Sequence, residues 1–132
     1  MKRILFLVIV CVGLFSCKKD KHDSHDFLNG TYKGTFKRYH QAGSQEALVT
    51  LEFNYPNWTG SSNMDKYPAL NKGRYSYDDY VLSFTNTAVW TADFDWTLIL
   101  NGVYLEHLEG DSLRITKSYG NGEIDVYRLK KQ

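Results

Sequence analysis

The feature that most constrains the fold is the dipeptide Asn101-Gly102, which lies between two runs of alternating apolar and polar residues. A type I′ turn needs a positive φ at both central residues, and Asn-Gly adopts it readily. The dipeptide therefore predicts a hairpin between residues 95–100 and 103–108. The resulting register assigns these residues to an apolar inner face: Trp96, Leu98, Leu100, Val103, Leu105 and His107. It assigns these residues to a mixed outer face: Thr97, Ile99, Tyr104 and Glu106.

The same period-2 alternation recurs near the start of the chain and predicts two further strands. Gly34 lies within the first of them, where a glycine indicates a bend or a close backbone approach. A short third strand is predicted over residues 58–62. The predicted inward residues of the first two strands are Tyr32, Gly34, Phe36, Arg38, Ala47, Val49, Leu51 and Phe53.

Two turns set the register of the later strands. An even-length turn at Asp78-Asp79 pairs Tyr77 with Tyr80. An odd-length loop at 109–111 sets His107 opposite Leu113 and keeps Arg114 on the outer face, whereas an even loop would turn Arg114 inward. A closing strand follows at 123–129.

These runs add up to eight or nine short strands, and the sequence has no helical period. Successive antiparallel strands joined by short loops favour a meander, and closure of the meander removes its exposed edges. We therefore expect an all-β fold, an antiparallel up-and-down β-barrel of about eight strands. A barrel of this size is either filled by side chains or holds one small ligand.

The N-terminus has the features of an export signal. Lys2 and Arg3 precede an apolar run at 4–15 that is short for a membrane span. Leu14-Phe15-Ser16-Cys17 resembles a bacterial lipobox, which implies that Cys17 becomes the lipidated first residue of the mature protein; an ordinary signal peptide or an uncleaved anchor are the alternatives. We expect a signal peptide over 1–16, the lipidated cysteine and a polar tether over 17–26, and the barrel domain over 27–132.

Composition narrows the class of partner. The chain has 16 Lys and Arg against 15 Asp and Glu, and loss of Lys2 and Arg3 with the signal brings the charge to −1. This balance argues against a nucleic-acid partner. Ten tyrosines and three tryptophans are typical of strands and of aromatic contact surfaces.

The domain resembles the calycin superfamily, and within it the small lipocalin-like lipoproteins of Bacteroidota. Residues 28–32 (Leu-Asn-Gly-Thr-Tyr) lie where lipocalins carry Gly-x-Trp, and Arg114 and Arg128 are candidates for the basic residue that packs on that aromatic ring. The resemblance implies a barrel open at one end and an outer-membrane location in the cell envelope, on the periplasmic or the surface-exposed face. It also rests on Gly73-x-Tyr75, Asp111-Ser112-Leu113 and Asp125-x-Tyr127-x-Leu129.

The sequence contains no recognisable catalytic motif, and we expect no catalytic residue, metal or cofactor. Arg38, predicted to point inward near a barrel mouth, can pair with a ligand carboxylate or phosphate, or reach the rim. His107 beside Trp96 is a candidate ligand contact, with a core histidine or a rim histidine as the alternatives. The candidate ligand-binding residues are Tyr32, Arg38, Tyr75, Tyr77, Trp96 and His107.

The expected function is therefore that of a membrane-anchored lipoprotein whose barrel binds a small apolar or amphiphilic ligand. The alternative is a non-enzymatic interaction module, either an accessory subunit of an outer-membrane complex or an inhibitor of another enzyme. An enzyme acting through His107 is the least favoured reading. An open interior would favour the ligand, and a packed interior with an apolar outer patch would favour a protein partner.

Overall fold

A computed structural model describes residues 28–132, so the expected signal, Cys17 and the tether lie outside the described residues. Eight antiparallel strands form a closed barrel in chain order, which confirms the predicted fold class. No helix within the described residues is long and apolar enough to cross a membrane. The strands are β1 (Gly30–Tyr39), β2 (Glu46–Asn54), β3 (Asn57–Ser62), β4 (Lys72–Asp78), β5 (Val81–Asn86), β6 (Gly102–Glu109), β7 (Ser112–Ser118) and β8 (Ile124–Lys131), with one 3₁₀ helix at Trp96–Leu98.

The first two strands have the predicted faces. In the β1–β2 ladder Tyr32 lies opposite Leu51, and all the expected apolar side chains of both strands point into the barrel. Burying each such large side chain contributes roughly 1.5–3 kcal/mol relative to leaving it exposed. The predicted third strand is also present, and its Trp58 is buried in the same core.

Gly34 marks the close backbone approach that its position predicted. A Cβ added there would lie 1.8 Å from the carbonyl oxygen of Arg128 on β8. No side chain fits in that space, because the obstructing atom belongs to the backbone of a neighbouring strand. Gly34 therefore allows β1 to meet β8 and close the barrel.

The β4–β5 hairpin is present but has a different register from the predicted one. Its turn is formed by Asp79 and Tyr80, whose φ values are 43° and 69°, and Tyr77 pairs with Leu82 rather than Tyr80. The shift is two residues, so Leu82 and Phe84 lie on the same face as Tyr75, whereas Tyr80 lies in the turn and is exposed. Tyr75 is accordingly buried as expected.

The predicted hairpin at Asn101-Gly102 is wrong. Residues 96–98 form a 3₁₀ helix instead of a strand, because Asp95 accepts a hydrogen bond from the Thr97 backbone and caps the turn. The Asn101 side chain accepts a hydrogen bond from the backbone of Asn86, and Gly102 begins β6. The turn preference of Asn101-Gly102 is thus outweighed by the capping interaction and by the pairing between β5 and β6.

The loss of that hairpin reverses the predicted faces of β6. Because Leu82 on β5 pairs with Tyr104, Tyr104 points inward and is 1% exposed. Glu106 also points inward, whereas Val103 and Leu105 point outward. The phase of β6 is therefore set by its neighbour and not by its own apolar residues.

Two further predictions near this hairpin are also wrong: the inner pair of His107 and Trp96, and the odd-length loop after β6. His107 lies on the outer wall, and Trp96 is exposed on the 3₁₀ helix, so the two do not form an inner pair. The loop after β6 is even, with Glu109 opposite Ser112 and His107 opposite Arg114. The predicted loop was odd instead of even, and the predicted face of β6 was also the wrong one. These two errors cancel on β7. Leu113 and Ile115 are therefore buried and Arg114 points outward, as expected.

Replacing Gly34 with alanine should destabilise the barrel by about 3 kcal/mol, because the new methyl group overlaps the Arg128 carbonyl. Gly120→Ala is the control, since a Cβ there has no neighbour within 4 Å. Urea unfolding of both variants measures the difference. Equal and small effects would contradict the close approach of β1 and β8.

Candidate functional site

Two loops cover the end of the barrel at which β1 finishes, and we call it the covered end. The loops are residues 63–71 and 87–101. They are joined where the Ala69 amide donates to the carbonyl of Leu98 (2.9 Å) and the Leu100 amide donates to the carbonyl of Ala69 (3.3 Å). Ala69 and Leu100 are themselves buried, so the loops extend the core across this end of the barrel.

Arg38 and Asp125 form a buried ion pair beneath these loops. Arg38 Nε donates to Asp125 Oδ1 at 2.6 Å, and Nη2 donates to Oδ2 at 2.8 Å. The arginine is 0% exposed, and the carboxylate is almost as fully buried. This bidentate geometry is the arrangement in which a guanidinium binds a carboxylate most specifically. It links the end of β1 to the start of β8.

The same guanidinium also binds the 3₁₀ helix. Its Nη1 donates to Asp95 Oδ2 (3.1 Å) and to Thr97 Oγ1 (2.8 Å), and Nη2 donates to the Thr97 carbonyl (3.1 Å). Tyr119 lies beneath it, with the ring centroid 4.9 Å from the guanidinium carbon, and donates from its hydroxyl to Asp125 Oδ2 (2.8 Å). Arg38 therefore fastens a covering loop to the barrel.

This network determines what Arg38 can do. A guanidinium has five N–H donors, and the Arg38 group makes six hydrogen bonds to its own chain. No donor is left for a ligand while the network is intact. The inward position predicted for Arg38 is confirmed, and the alternative in which it reaches the rim is wrong. Its role as a ligand contact stays a prediction.

The electrostatics of the cluster favour its ionised form. Burial alone would lower the pKa of Arg38, but its hydrogen bonds and charge interaction with Asp125 outweigh this and raise the pKa above its usual range. Burial and the hydrogen bond to Asp125 raise the pKa of Tyr119, so its hydroxyl stays protonated. Hydrogen bonds from Thr97 lower the pKa of Asp95 despite partial burial.

Aromatic rings fill the barrel interior below this cluster. Tyr32 contacts Phe53 edge-on at a centroid distance of 5.5 Å, and Phe53 contacts Tyr75 at 5.1 Å. Phe84 and Tyr104 continue the cluster at 5.5 Å. Edge-to-face packing of this kind stabilises a core beyond the area that it buries.

The six candidate ligand-binding residues therefore separate into three places. Tyr32 and Tyr75 lie in the interior cluster, and Tyr77 packs half-buried against it. Arg38 lies at the covered end, while Trp96 and His107 are exposed outside. The structure does not bring all six together around one cavity.

The basic residue that packs on Tyr32 is Lys131, whose Nζ lies 5.7 Å from the ring centroid. Arg114 and Arg128, the candidates from the sequence, both point outward from β7 and β8. Lys131 directly opposes Tyr32 in the β1–β8 ladder, which explains the contact.

Glu106 is an inward carboxyl group on β6 with no hydrogen-bond or ion-pair partner for its side chain among residues 28–132. Burial raises its pKa, and the nearby His107 offsets only part of this effect. The carboxyl group also acts on its neighbour, because burial and then the charge of Glu106 raise the pKa of Tyr32.

The outer face of β5 and β6 carries exposed apolar side chains. Leu105 is 62% exposed and Val103 is 59% exposed, and they lie opposite Val81 and Ser83 in the β5–β6 ladder. Tyr80, in the adjoining turn, is similarly exposed. We call Tyr80, Val81, Val103 and Leu105 the β5–β6 patch.

The sequence assigned Ile99 and Tyr104 to an outer face, but both are buried. Leu48, another exposed apolar residue, points outward from strand β2, away from this patch.

Comparisons of the chain with known protein families, curated protein sequences and solved structures found no match. The site is therefore interpreted from its own geometry. Within residues 28–132, no three His, Cys, Asp or Glu side chains lie together in an arrangement that could hold a metal ion.

Sequence reasoning missed the partners of Arg38. Residues 95–100 were assigned to a strand that does not exist, with Thr97 on its outer face, so neither Asp95 nor Thr97 was recognised as a partner. Asp125 offered a usable signal, because it shares the inward period with Tyr127 and Leu129 on the closing strand. An inward acid on the last strand is a natural partner for an inward arginine on the first strand of a closed barrel.

Replacing Arg38 with methionine should destabilise the protein by about 3–5 kcal/mol, because Asp125 is left buried without a counter-charge. Arg38→Lys should have an intermediate effect, since it keeps the charge and loses the fork. Arg74→Met, on the exposed face of β4, should change stability by less than about 0.5 kcal/mol. Urea unfolding that gave equal effects at Arg38 and Arg74 would disprove the structural role of the pair.

Replacing Glu106 with glutamine should raise the melting temperature at pH 8 and have less effect at pH 4. The folded-state pKa of Glu106 is raised, so above the unfolded value the folded state binds more protons and stability falls as pH rises. The substitution removes this dependence. Glu52→Gln on the outer face of β2 is the control, and a thermal melt in which both variants follow the wild-type pH profile would contradict the assignment.

Proposed function

We propose that this protein is a non-enzymatic interaction module whose outer barrel wall binds a partner protein in the cell envelope. The contact surface is the β5–β6 patch, and the partner presents a complementary apolar surface. Two roles fit such a module: an accessory subunit of an outer-membrane complex, or an inhibitor of another enzyme. Both roles need a rigid surface and neither needs a cavity.

The observation that carries the proposal is the contrast between the interior and the outer wall. Inside, aromatic rings pack against one another and against Leu51, Leu82 and Leu113. Outside, Val103 and Leu105 expose more than half of their surface. Contiguous exposed apolar residues on a soluble domain are typical of interaction sites.

The proposed location rests on the N-terminal sequence. A lipid on Cys17, followed by the polar residues 18–26, would tether the barrel at a membrane surface. The closed eight-stranded architecture is compatible with a lipocalin-like fold. The proposed location, on the periplasmic or surface-exposed face of an outer membrane, rests on the N-terminal sequence and on the resemblance to lipoproteins of Bacteroidota.

Charge favours a different protein over a second copy as the occupant. Beyond the patch, the outer wall continues into cationic side chains, among them Arg114 and Arg128. A two-fold contact through the patch would bring the cationic walls of two copies close together, and like charges so placed repel. A partner with a neutral or acidic border avoids this repulsion.

A small apolar or amphiphilic ligand in the barrel is the second candidate. The specific observation in its favour is that Trp58 Nε1 is buried and has no hydrogen-bond acceptor among residues 28–132. Native mass spectrometry of protein from its own host tests this candidate. A mass adduct that leaves on denaturation would support it, and an unmodified mass would oppose it.

The double variant Val103→Asp/Leu105→Asp should lose the partner, because it places two carboxylates within the apolar contact. Leu48→Asp is the matched control, since Leu48 is 61% exposed on β2, away from the patch. Each full-length protein is expressed in the native host, and proteins cross-linked to it are quantified. We expect one protein to be recovered equally with wild type and Leu48→Asp and about tenfold less with the double variant.

Recovery that does not change with the double variant would contradict the proposed surface. Sedimentation of the purified full chain provides a second readout. Self-association that the double variant abolishes would replace the partner protein with a second copy.

A further inference from the structure

A hollow of about 490 Å³ lies on the outer wall next to the β5–β6 patch, across β6, β7, β8 and β1. We call it the cationic hollow. Lys33, Arg114, Arg128 and Lys130 line it together with His107, and Glu109 is the one carboxylate among its lining residues. Glu109 is largely exposed and lies 3.9 Å from His107 Nε2. The lining therefore has an excess of positive charge.

The strand register places these cations directly opposite one another. Lys33 opposes Lys130 in the β1–β8 ladder, and Arg114 opposes Arg128 in the β7–β8 ladder. Directly opposed side chains in antiparallel strands have Cβ atoms about 4.5–5.5 Å apart, and like charges there are destabilising. The barrel thus contains two adjacent repulsive pairs, which folding alone does not require.

The cations are also without counter-charges in the described part of the chain. Lys33, Arg114, Arg128 and Lys130 take part in none of the ion pairs within residues 28–132, which involve Arg38, Lys66 and His107 instead. Arg128 is nevertheless held in place, because its Nη1 donates to the Tyr39 hydroxyl at 2.8 Å and its guanidinium lies over the Tyr39 ring. One cation is therefore oriented, and its charge is available to a ligand.

We propose that the cationic hollow binds a ligand that carries two or more phosphate groups. Arginine forks and lysine ammonium groups are the side chains that bind phosphate most often. The two repulsive pairs are separated by two residues along β8, which corresponds to about 7 Å. Two linked phosphate groups carry enough negative charge to offset both pairs, whereas a single phosphate offsets only part of the four positive charges.

The concave shape favours a soluble or pendant phosphorylated group over the flat surface of a bilayer. Phospholipid headgroups supply the same chemistry, so the test includes them as a competitor. The proposal is independent of the proposed function, because the β5–β6 patch uses other residues.

Isothermal titration of the mature full chain in a neutral detergent, with tripolyphosphate as the probe, tests the proposal. Lys33→Gln/Lys130→Gln should weaken binding about tenfold or more. The control Lys72→Gln/Arg74→Gln removes the same charge from the exposed face of β4 and should leave affinity within about twofold of wild type. Equal losses in both variants, or no heat with wild type, would overturn the proposal.

Thermal melts provide a second readout, because binding and structural roles for Lys33 and Lys130 predict opposite changes in the melting temperature of the double variant. Removing the Lys33–Lys130 repulsion should raise the melting temperature by a few degrees, and a lowered one would mean that these lysines stabilise the fold. In the headgroup arm, the titration is repeated in micelles doped with phosphatidylglycerol. Unchanged tripolyphosphate affinity supports the proposal. A loss of about tenfold or more would assign the hollow to bilayer headgroups and overturn the soluble ligand.

Discussion

The structure depends on the ion pair between Arg38 and Asp125. It joins the first strand to the last at the covered end, where their ladder finishes at the pair of Tyr39 and Ile124. Two charges are tolerated in the core because the fork is bidentate and the remaining donors reach the 3₁₀ helix. The pair therefore closes the barrel laterally and also holds the loop that covers it.

Closure of the barrel by this pair leaves the outer wall as the surface that the two proposed interactions use. Buried loop residues such as Leu100 occupy the covered end, and rings such as Tyr32 and Phe53 pack against each other in the interior. The two surfaces on which our proposals rest lie on the outside. The outer wall divides into an apolar patch on β5–β6 and a cationic hollow on β6–β1. A rigid closed barrel can present both surfaces at a fixed separation, which is what a binding module requires.

Alternation alone predicted the parts of the fold in which a strand has one clearly apolar face. In β1 and β2 the apolar period is unambiguous, so Tyr32, Phe36 and Leu51 were placed correctly. In β6 it is not, because Val103 and Leu105 alternate with Tyr104, and either phase leaves apolar residues outside. Pairing with β5 chose the phase that buries Tyr104, a tertiary effect that local propensity does not contain.

The candidate site shows the same division between local and long-range information. The inward position of Arg38 followed from its own strand, but its partner lies 87 residues away and its second carboxylate is on a loop that was read as a strand. The repulsive pairs of the cationic hollow were invisible for a related reason: Lys33 and Lys130 are neighbours only once the first and last strands meet. Barrel closure therefore creates both the buried Arg38–Asp125 pair, which stabilises the fold, and the exposed like-charged pairs of the cationic hollow, which destabilise it. That opposition argues that the exposed pairs persist for binding, because neutral residues at the same positions would fold equally well.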